Sequence, residues 1–260
     1  MRNVFGFLEE APLSGEIAFP TLRGTLFDYW RSDRGVTLSG GAVTTWTGEA
    51  NGNNFSAATT GGPTVSGSNA GFAGVDTLTF NGTSQGLGNT QTTPINGAST
   101  GSVNMAIYAA PHGDGAHASG FNAIFGISTD GNTPLVSEAV MRGTSTSQIQ
   151  FYGFPPSQTI SSTDHSYGKG LYTITQGDPD GFGQGLSAKL CNKTRNSVAG
   201  ISYSSYTNLR QPFMIGAYNA LNAADLFGKV DVAGCVIWSN STGLQDDIDD
   251  LIDYFTQIYG

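Results

Sequence analysis

The chain has 260 residues, 38% hydrophobic and only 12% charged, with 37 glycines and a formal net charge of −9. An average soluble domain is roughly 25% charged, so this surface must be finished with Ser, Thr, Asn and Gly. Such a composition argues against a helical bundle and suits many short strands joined by tight turns, where glycine supplies positive φ without a Cβ clash. The negative field repels phosphate backbones and anionic head groups, which excludes nucleic acid and membrane surfaces as expected partners.

Residues 1–24 mix Phe5, Phe7, Leu8, Leu13, Ile17 and Phe19 with Pro12 and Pro20 and follow neither a two-residue nor a 3.6-residue period. They read as an extended N-terminal arm, and those six apolar residues are its candidate partner-binding set. Leaving them in water costs roughly 1.5–3 kcal/mol per large side chain, so the arm packs either on its own domain or into a neighbouring subunit. The opening MRNVFGFLEEAPLSG reaches Glu9 before an apolar stretch long enough for a signal-peptide core. No run approaches the roughly 18 apolar residues of a membrane span. The expectation is a soluble chain made in a host cytoplasm.

From residue 25 to the end the pattern is that of one domain. Strand-like runs follow at LFDYW (26–30), TLTF (77–80), VNMAIYA (103–109), FNAIFGI (121–127) and IQFYGF (149–154). LYTIT (171–175), GLSAKL (185–190), PFMIGA (212–217) and KVDVAGCVIW (229–238) complete the set. Gly, Asn, Pro and Ser clusters separate them, the signature of a sandwich or jelly roll rather than of βαβ units. In the last run Val230, Val232, Gly234, Val236 and Trp238 fall on one face of a regular pleated strand, which makes Trp238 a core residue. Leu244, Ile248, Leu251, Ile252, Phe255 and Ile258 then recur at helical spacing. Thr242 and Gln245 form a capping box for this amphipathic C-terminal helix, and Asp246 and Asp247 sit at the positive end of its dipole. The helix is expected to cover an edge or open end of the core, with Asp246, Asp247, Asp249, Asp250 and Asp253 on a solvated face.

The stretch LFDYWRSDRGVTLSGGAVTTWTGEANGNN, then GGPTV at 61–65 and TLTFNGTSQGL at 77–87, resembles the opening of the laminin-G-like branch of the concanavalin A-like lectin/glucanase superfamily. MIGAYNA, LFGKVDVAGCVIW and a final helix ending in Tyr-Gly extend the resemblance to the C-terminus. It implies an all-β fold: a concanavalin A-like jelly-roll β-sandwich over 25–260, with the arm before it and one C-terminal helix. Members often carry a glutamate in the strand before the last helix, where this chain has Gly234, so no role of that residue carries over. The superfamily includes glucanases, lectins, adhesion modules and phage surface proteins, and its fold licenses no single role.

The candidate chemistry is sparse. Glucanase members use a Glu-x-Asp-x-x-Glu pattern because retaining hydrolysis needs two carboxyls about 5–5.5 Å apart; the five glutamates here, Glu9, Glu10, Glu16, Glu49 and Glu138, do not form it. The expectation is therefore a chain that is not an enzyme. His112, Asp114 and His117 cluster in PHGDGAH but sit in a Gly-rich loop with nothing rigid to fix ligands. Asp178 and Asp180 in GDPDGFGQG are the candidate metal ligands, for calcium, beside the simpler reading of a Pro-Asp-Gly turn. Cys191 and Cys235 are two buried thiols or a single disulfide. Tyr152, Phe154, Tyr167, Tyr203, Tyr206 and Tyr218 are candidate sugar-stacking aromatics. The expected function is a virion structural protein: a capsid or tail decoration of phage type, docked by its arm to other virion proteins and forming a homo-oligomer. The alternative is a carbohydrate-binding adhesin that recognises host polysaccharide.

Overall fold

The computed structural model describes residues 17–58, 60–89, 102–112, 121–127, 139–144, 149–153, 158–161, 168–176, 185–192, 194–197, 201–202, 213–218, 226–240 and 244–260. In chain order the strands are β1 (Thr25–Arg31), β2 (Val36–Ser39), β3 (Ala42–Thr47), β4 (Asn54–Ala57), β5 (Thr64–Asn69), β6 (Val75–Asn81) and β7 (Leu87–Asn89). Then come β8 (Ser102–Pro111), β9 (Phe121–Ile127), β10 (Ala139–Thr144), β11 (Ile149–Gly153), β12 (Gln158–Ser161), β13 (Gly170–Gln176) and β14 (Gly185–Asn192). β15 (Thr194–Ser197), β16 (Ile201–Ser202), β17 (Phe213–Ile215), β18 (Ala217–Tyr218), β19 (Leu226–Phe227) and β20 (Lys229–Asn240) lead into α1 (Leu244–Tyr259). Each strand-like run of the sequence holds a strand.

Antiparallel pairing builds two layers. One runs β14–β13–β8–β20, and the far edge of β20 is shared by β1 along Gly234–Ser239 and by β6 along Lys229–Val232. The other runs β12–β11–β10–β9–β17–β7–β4–β3–β2. The main core lies between them: Trp30, Leu78, Met105, Ile107, Val232 and Ile237 of the first layer meet Val43, Trp46, Phe55, Leu87, Phe125 and Ile215 of the second. This is an all-β sandwich.

Strands of the first layer are apolar on both faces, and that fixes where the helix goes. Alternation along β8 sends Met105, Ile107 and Ala109 inward and Ala106 and Tyr108 outward. The outer face would expose a large apolar patch, and α1 covers it with Leu244, Ile248, Leu251 and Phe255. The helix thus covers the outer face of a sheet, not an edge or open end of the core. The Lys169 ammonium donates to the carbonyls of Tyr259 and Gly260 at 3.0 and 3.2 Å, pinning the helix C-terminus.

Two sequence expectations are corrected here. A β-bulge between Val232 and Gly234 breaks the alternation of β20, so Val230 and Val232 face the inter-sheet core while Val236 and Trp238 face the helix. Trp238 is buried, as expected. Asp247, placed on a solvated face by its acidic neighbours, is fully buried and accepts the Arg23 backbone N–H at 2.8 Å. Gln245 donates to Asp249 at 3.0 Å, and Thr242 of the expected capping box lies outside the described residues. Cys235 is a free, buried thiol in the main core, its pKa pushed well up by burial.

Candidate functional site

The most organised polar structure among the described residues is built on β1. Asp28 is 0% exposed, yet its carboxylate is saturated by the loop that follows β3. Oδ1 accepts the N–H groups of Tyr29 and Ala50 at 2.9 and 2.8 Å. Oδ2 accepts those of Asn51 and Asn53 at 3.2 and 2.8 Å and the Asn53 side-chain amide at 3.1 Å. A buried carboxylate is tolerated only when hydrogen bonds replace its water, and here one side chain folds the whole Glu49–Asn53 turn. Gly48 makes the approach possible, since a Cβ at that position would overlap the Asp28 carboxyl group.

The turn presents Glu49 beside Tyr29 and Arg34. The Tyr29 hydroxyl donates to Glu49 Oε2 at 3.4 Å, and Arg34 Nη1 lies 3.5 Å from the same oxygen. Arg31 forks onto Asp33, with Nε on Oδ1 at 3.0 Å and Nη2 on Oδ2 at 2.7 Å. Two guanidinium groups therefore face two carboxylates at the rim, beside the buried Asp28 carboxylate. Burial pushes the Tyr29 phenol up to about 12, with the Glu49 charge adding to it. The other oxygen of Glu49, Oε1, is buried without a hydrogen-bond partner among the described residues. An acceptor left in that state costs about 1–3 kcal/mol.

A second cluster lies where β8 ends. His112 Nε2 sits 3.0 Å from Asp231 Oδ2, and the Thr79 hydroxyl donates to Asp231 Oδ1 at 2.7 Å. Burial works to raise the Asp231 pKa, but the His112 and Thr79 hydrogen bonds and the His112 charge outweigh it and hold the carboxyl below its ordinary value. A depressed carboxyl pKa adds stability that is fully present above the unfolded value of about 3.9 and is lost as pH falls through the folded pKa. Asp231→Asn should therefore flatten the acid limb of the melting-temperature profile below about pH 4, measured against the parent chain by thermal unfolding.

The residues singled out in the sequence fall elsewhere. Asp178, Asp180, Phe5, Phe7, Leu8 and Leu13 lie outside the described residues, as do Asp114, His117, Phe154, Tyr167, Tyr203 and Tyr206. Tyr152 and Tyr218 are in β11 and β18, where only the backbone is described. Ile17 and Phe19 are described, and both pack on their own domain, against the helix-side core. No group of three or more His, Cys, Asp or Glu among the described residues is arranged to hold a metal ion.

No protein-family model matches the chain, and no curated protein sequence matches it. Solved structures do resemble it. Trypanosoma rangeli sialidase in complex with 2,3-difluoro-KDN superposes with a TM-score of 0.56 at 14% identity, over 96% of this chain and 36% of the sialidase. An arabinofuranosidase complexed with arabinofuranosyl-alpha-1,2-xylobiose gives 0.52 at 15% identity, over 84% of this chain and 50% of the enzyme. The botulinum neurotoxin type G receptor binding domain gives 0.50 at 9% identity, over 90% and 51%. The chain thus spans about a third to a half of these proteins, and at such identities the likeness shows the fold alone: the class is the all-β sandwich.

These likenesses correct one expectation. The reading of the chain as not an enzyme rested on a missing Glu-x-Asp-x-x-Glu pattern, but sialidases and an arabinofuranosidase share its fold over most of its length. That pattern belongs to one glycosidase branch and other glycosidases use other nucleophiles, so its absence does not exclude an enzyme. Tyr29 itself is a poor nucleophile near neutral pH, because its phenol is shifted up rather than down.

Proposed function

We propose that the chain is a carbohydrate-recognition sandwich of the laminin-G-like kind, which binds a neutral sugar at the rim formed by Tyr29, Glu49 and Arg34. The observation that carries this reading is Glu49, held beside the Tyr29 ring with its buried Oε1 unpartnered among the described residues. A sugar supplies both complements, a hydroxyl donor for the oxygen and an apolar C–H face for the phenol. The pairing of Arg31 and Arg34 with carboxylates and the net charge of −9 favour a neutral ligand over an acidic one. Two of the structures that resemble the chain are carbohydrate-active proteins, which supports the sugar as ligand class.

Display on a virion surface, as a homo-oligomeric capsid or tail decoration whose task is host-glycan contact, is the second reading. The charge-poor Ser/Thr/Gly-rich composition favours it.

An array of neutral and acidic glycans tests the first reading. The full chain should retain neutral pyranosides, and Glu49→Gln should weaken that binding by at least tenfold, the equivalent of one lost charge-assisted hydrogen bond of about 1.5–3 kcal/mol. Retention of acidic glycans alone, or binding indifferent to Glu49→Gln, would contradict it.

A further inference from the structure

The face of Tyr29 that the proposed site needs is already occupied. The Phe19 ring stacks on it with centroids 4.0 Å apart and planes 12° from parallel, and packs edge-on against Tyr254 at 5.1 Å and 74°. A pyranose stacked on that face of the phenol would have to displace Phe19. Phe19 belongs to residues 17–24, which form no strand. Among the described residues their attachments are side-chain ones, apart from the Arg23 N–H on Asp247. Ile17 and Leu22 are half-buried on the helix-side core, and the Arg23 guanidinium spans Asp246, Asp247 and Asp250 at 3.2, 3.4 and 3.3 Å. A segment held this way, without sheet hydrogen bonds, opens at far lower free energy than the strands beneath it.

We infer that residues 17–24 are an autoinhibitory strap whose Phe19 competes with a neutral pyranoside for the face of Tyr29. This rests on the carbohydrate reading and adds its regulation. If the site is free only in a fraction f of molecules, the apparent Kd is the intrinsic Kd divided by f, so anything that loosens the strap tightens sugar binding. The outer part of the strap's ionic anchor, Arg23 with Asp246 and Asp250, is exposed and salt screens it, while the pairing with the buried Asp247 is screened less. A neutral sugar has no charge of its own to screen. Binding by the parent chain should therefore improve as salt rises, the reverse of an electrostatically held ligand.

The test is calorimetric titration of the full chain and its Phe19→Ala, Arg23→Ala and Tyr29→Ala variants with methyl glucoside, methyl galactoside and methyl mannoside, at about 0.05 and 1 M NaCl. Phe19→Ala is expected to bind its preferred glycoside at least tenfold more tightly than the parent and to lose the salt dependence. Arg23→Ala, which removes the guanidinium from Asp246, Asp250 and the buried Asp247 but leaves the apolar contacts of the strap in place, should reproduce the effect in smaller measure, and Tyr29→Ala should abolish binding. A folded Phe19→Ala or Arg23→Ala chain that binds no more tightly than the parent overturns the strap. Binding on the glycan array that neither Tyr29→Ala nor Phe19→Ala alters overturns the strap and its site while leaving sugar recognition by the chain intact. No binding by any of the four chains overturns both.

Discussion

Asp28→Ala is expected to lower the melting temperature by about 10 °C and to abolish sugar binding together with it. Four backbone N–H groups and one side-chain amide converge on this carboxylate. Each donor left unsatisfied in a buried site costs about 1–3 kcal/mol. Water can reach part of the freed turn, so the net loss is on the order of 3–5 kcal/mol, and a chain of this size loses roughly 2–4 °C per kcal/mol. Binding falls for a geometric reason: Glu49 is positioned by the turn that Asp28 folds, and its backbone N–H donates to the Tyr29 carbonyl at 2.9 Å. Asp28→Asn keeps the shape but turns an amide donor toward other donors, so it should lose a substantial part of the same stability. Differential scanning calorimetry on the three chains measures the series, and a melting temperature unchanged by Asp28→Ala would refute the role given to this carboxylate.

Gly234→Glu should be more damaging still, costing roughly 4 kcal/mol or more and preventing recovery of folded chain. Gly234 lies in the β20 bulge, fully covered by α1, and a Cβ there would overlap Phe255 Cε1. Overpacking alone costs about 1–3 kcal/mol, and the glutamate adds a buried carboxylate with no partner. Gly234→Ala isolates the steric part and should remain folded at a lower melting temperature. The tight packing at this position has a definite source: the Phe255 ring of α1 stands where a Cβ on Gly234 would go. Soluble yield and near-ultraviolet circular dichroism of the two variants separate the outcomes, and a folded Gly234→Glu chain would show that α1 does not pack on β20 as described.

Much of this architecture is legible in the sequence, because alternation and turn chemistry are local. The runs around LFDYW, VNMAIYA and KVDVAGCVIW read as strands and are strands, and the helical spacing from Leu244 to Ile258 marks α1. What is not legible is nonlocal. The bulge at Val232–Gly234 leaves no mark in the hydrophobic pattern, and by shifting the pleat it sends Val236 and Trp238 to the face opposite Val230. Asp247 looks solvated beside four other aspartates, and its burial is set by Arg23, more than two hundred positions away. The candidate site was missed for a similar reason. Asp28, Arg31, Asp33 and Arg34 crowd into seven positions of a chain that is only 12% charged, and that local excess was the available signal. Their use depends on a loop twenty residues later, and the pairing of His112 with Asp231 spans a still longer gap.

A neutral sugar held at the Tyr29–Glu49–Arg34 rim should be visible in chemical-shift mapping of the isotope-labelled full chain as the preferred glycan is added to saturation. The largest perturbations are expected on Tyr29, Arg34 and Glu49–Asn53, with Phe19 shifting as it leaves the ring. Perturbations confined to the strands of the opposite layer, with that rim unmoved, would contradict it.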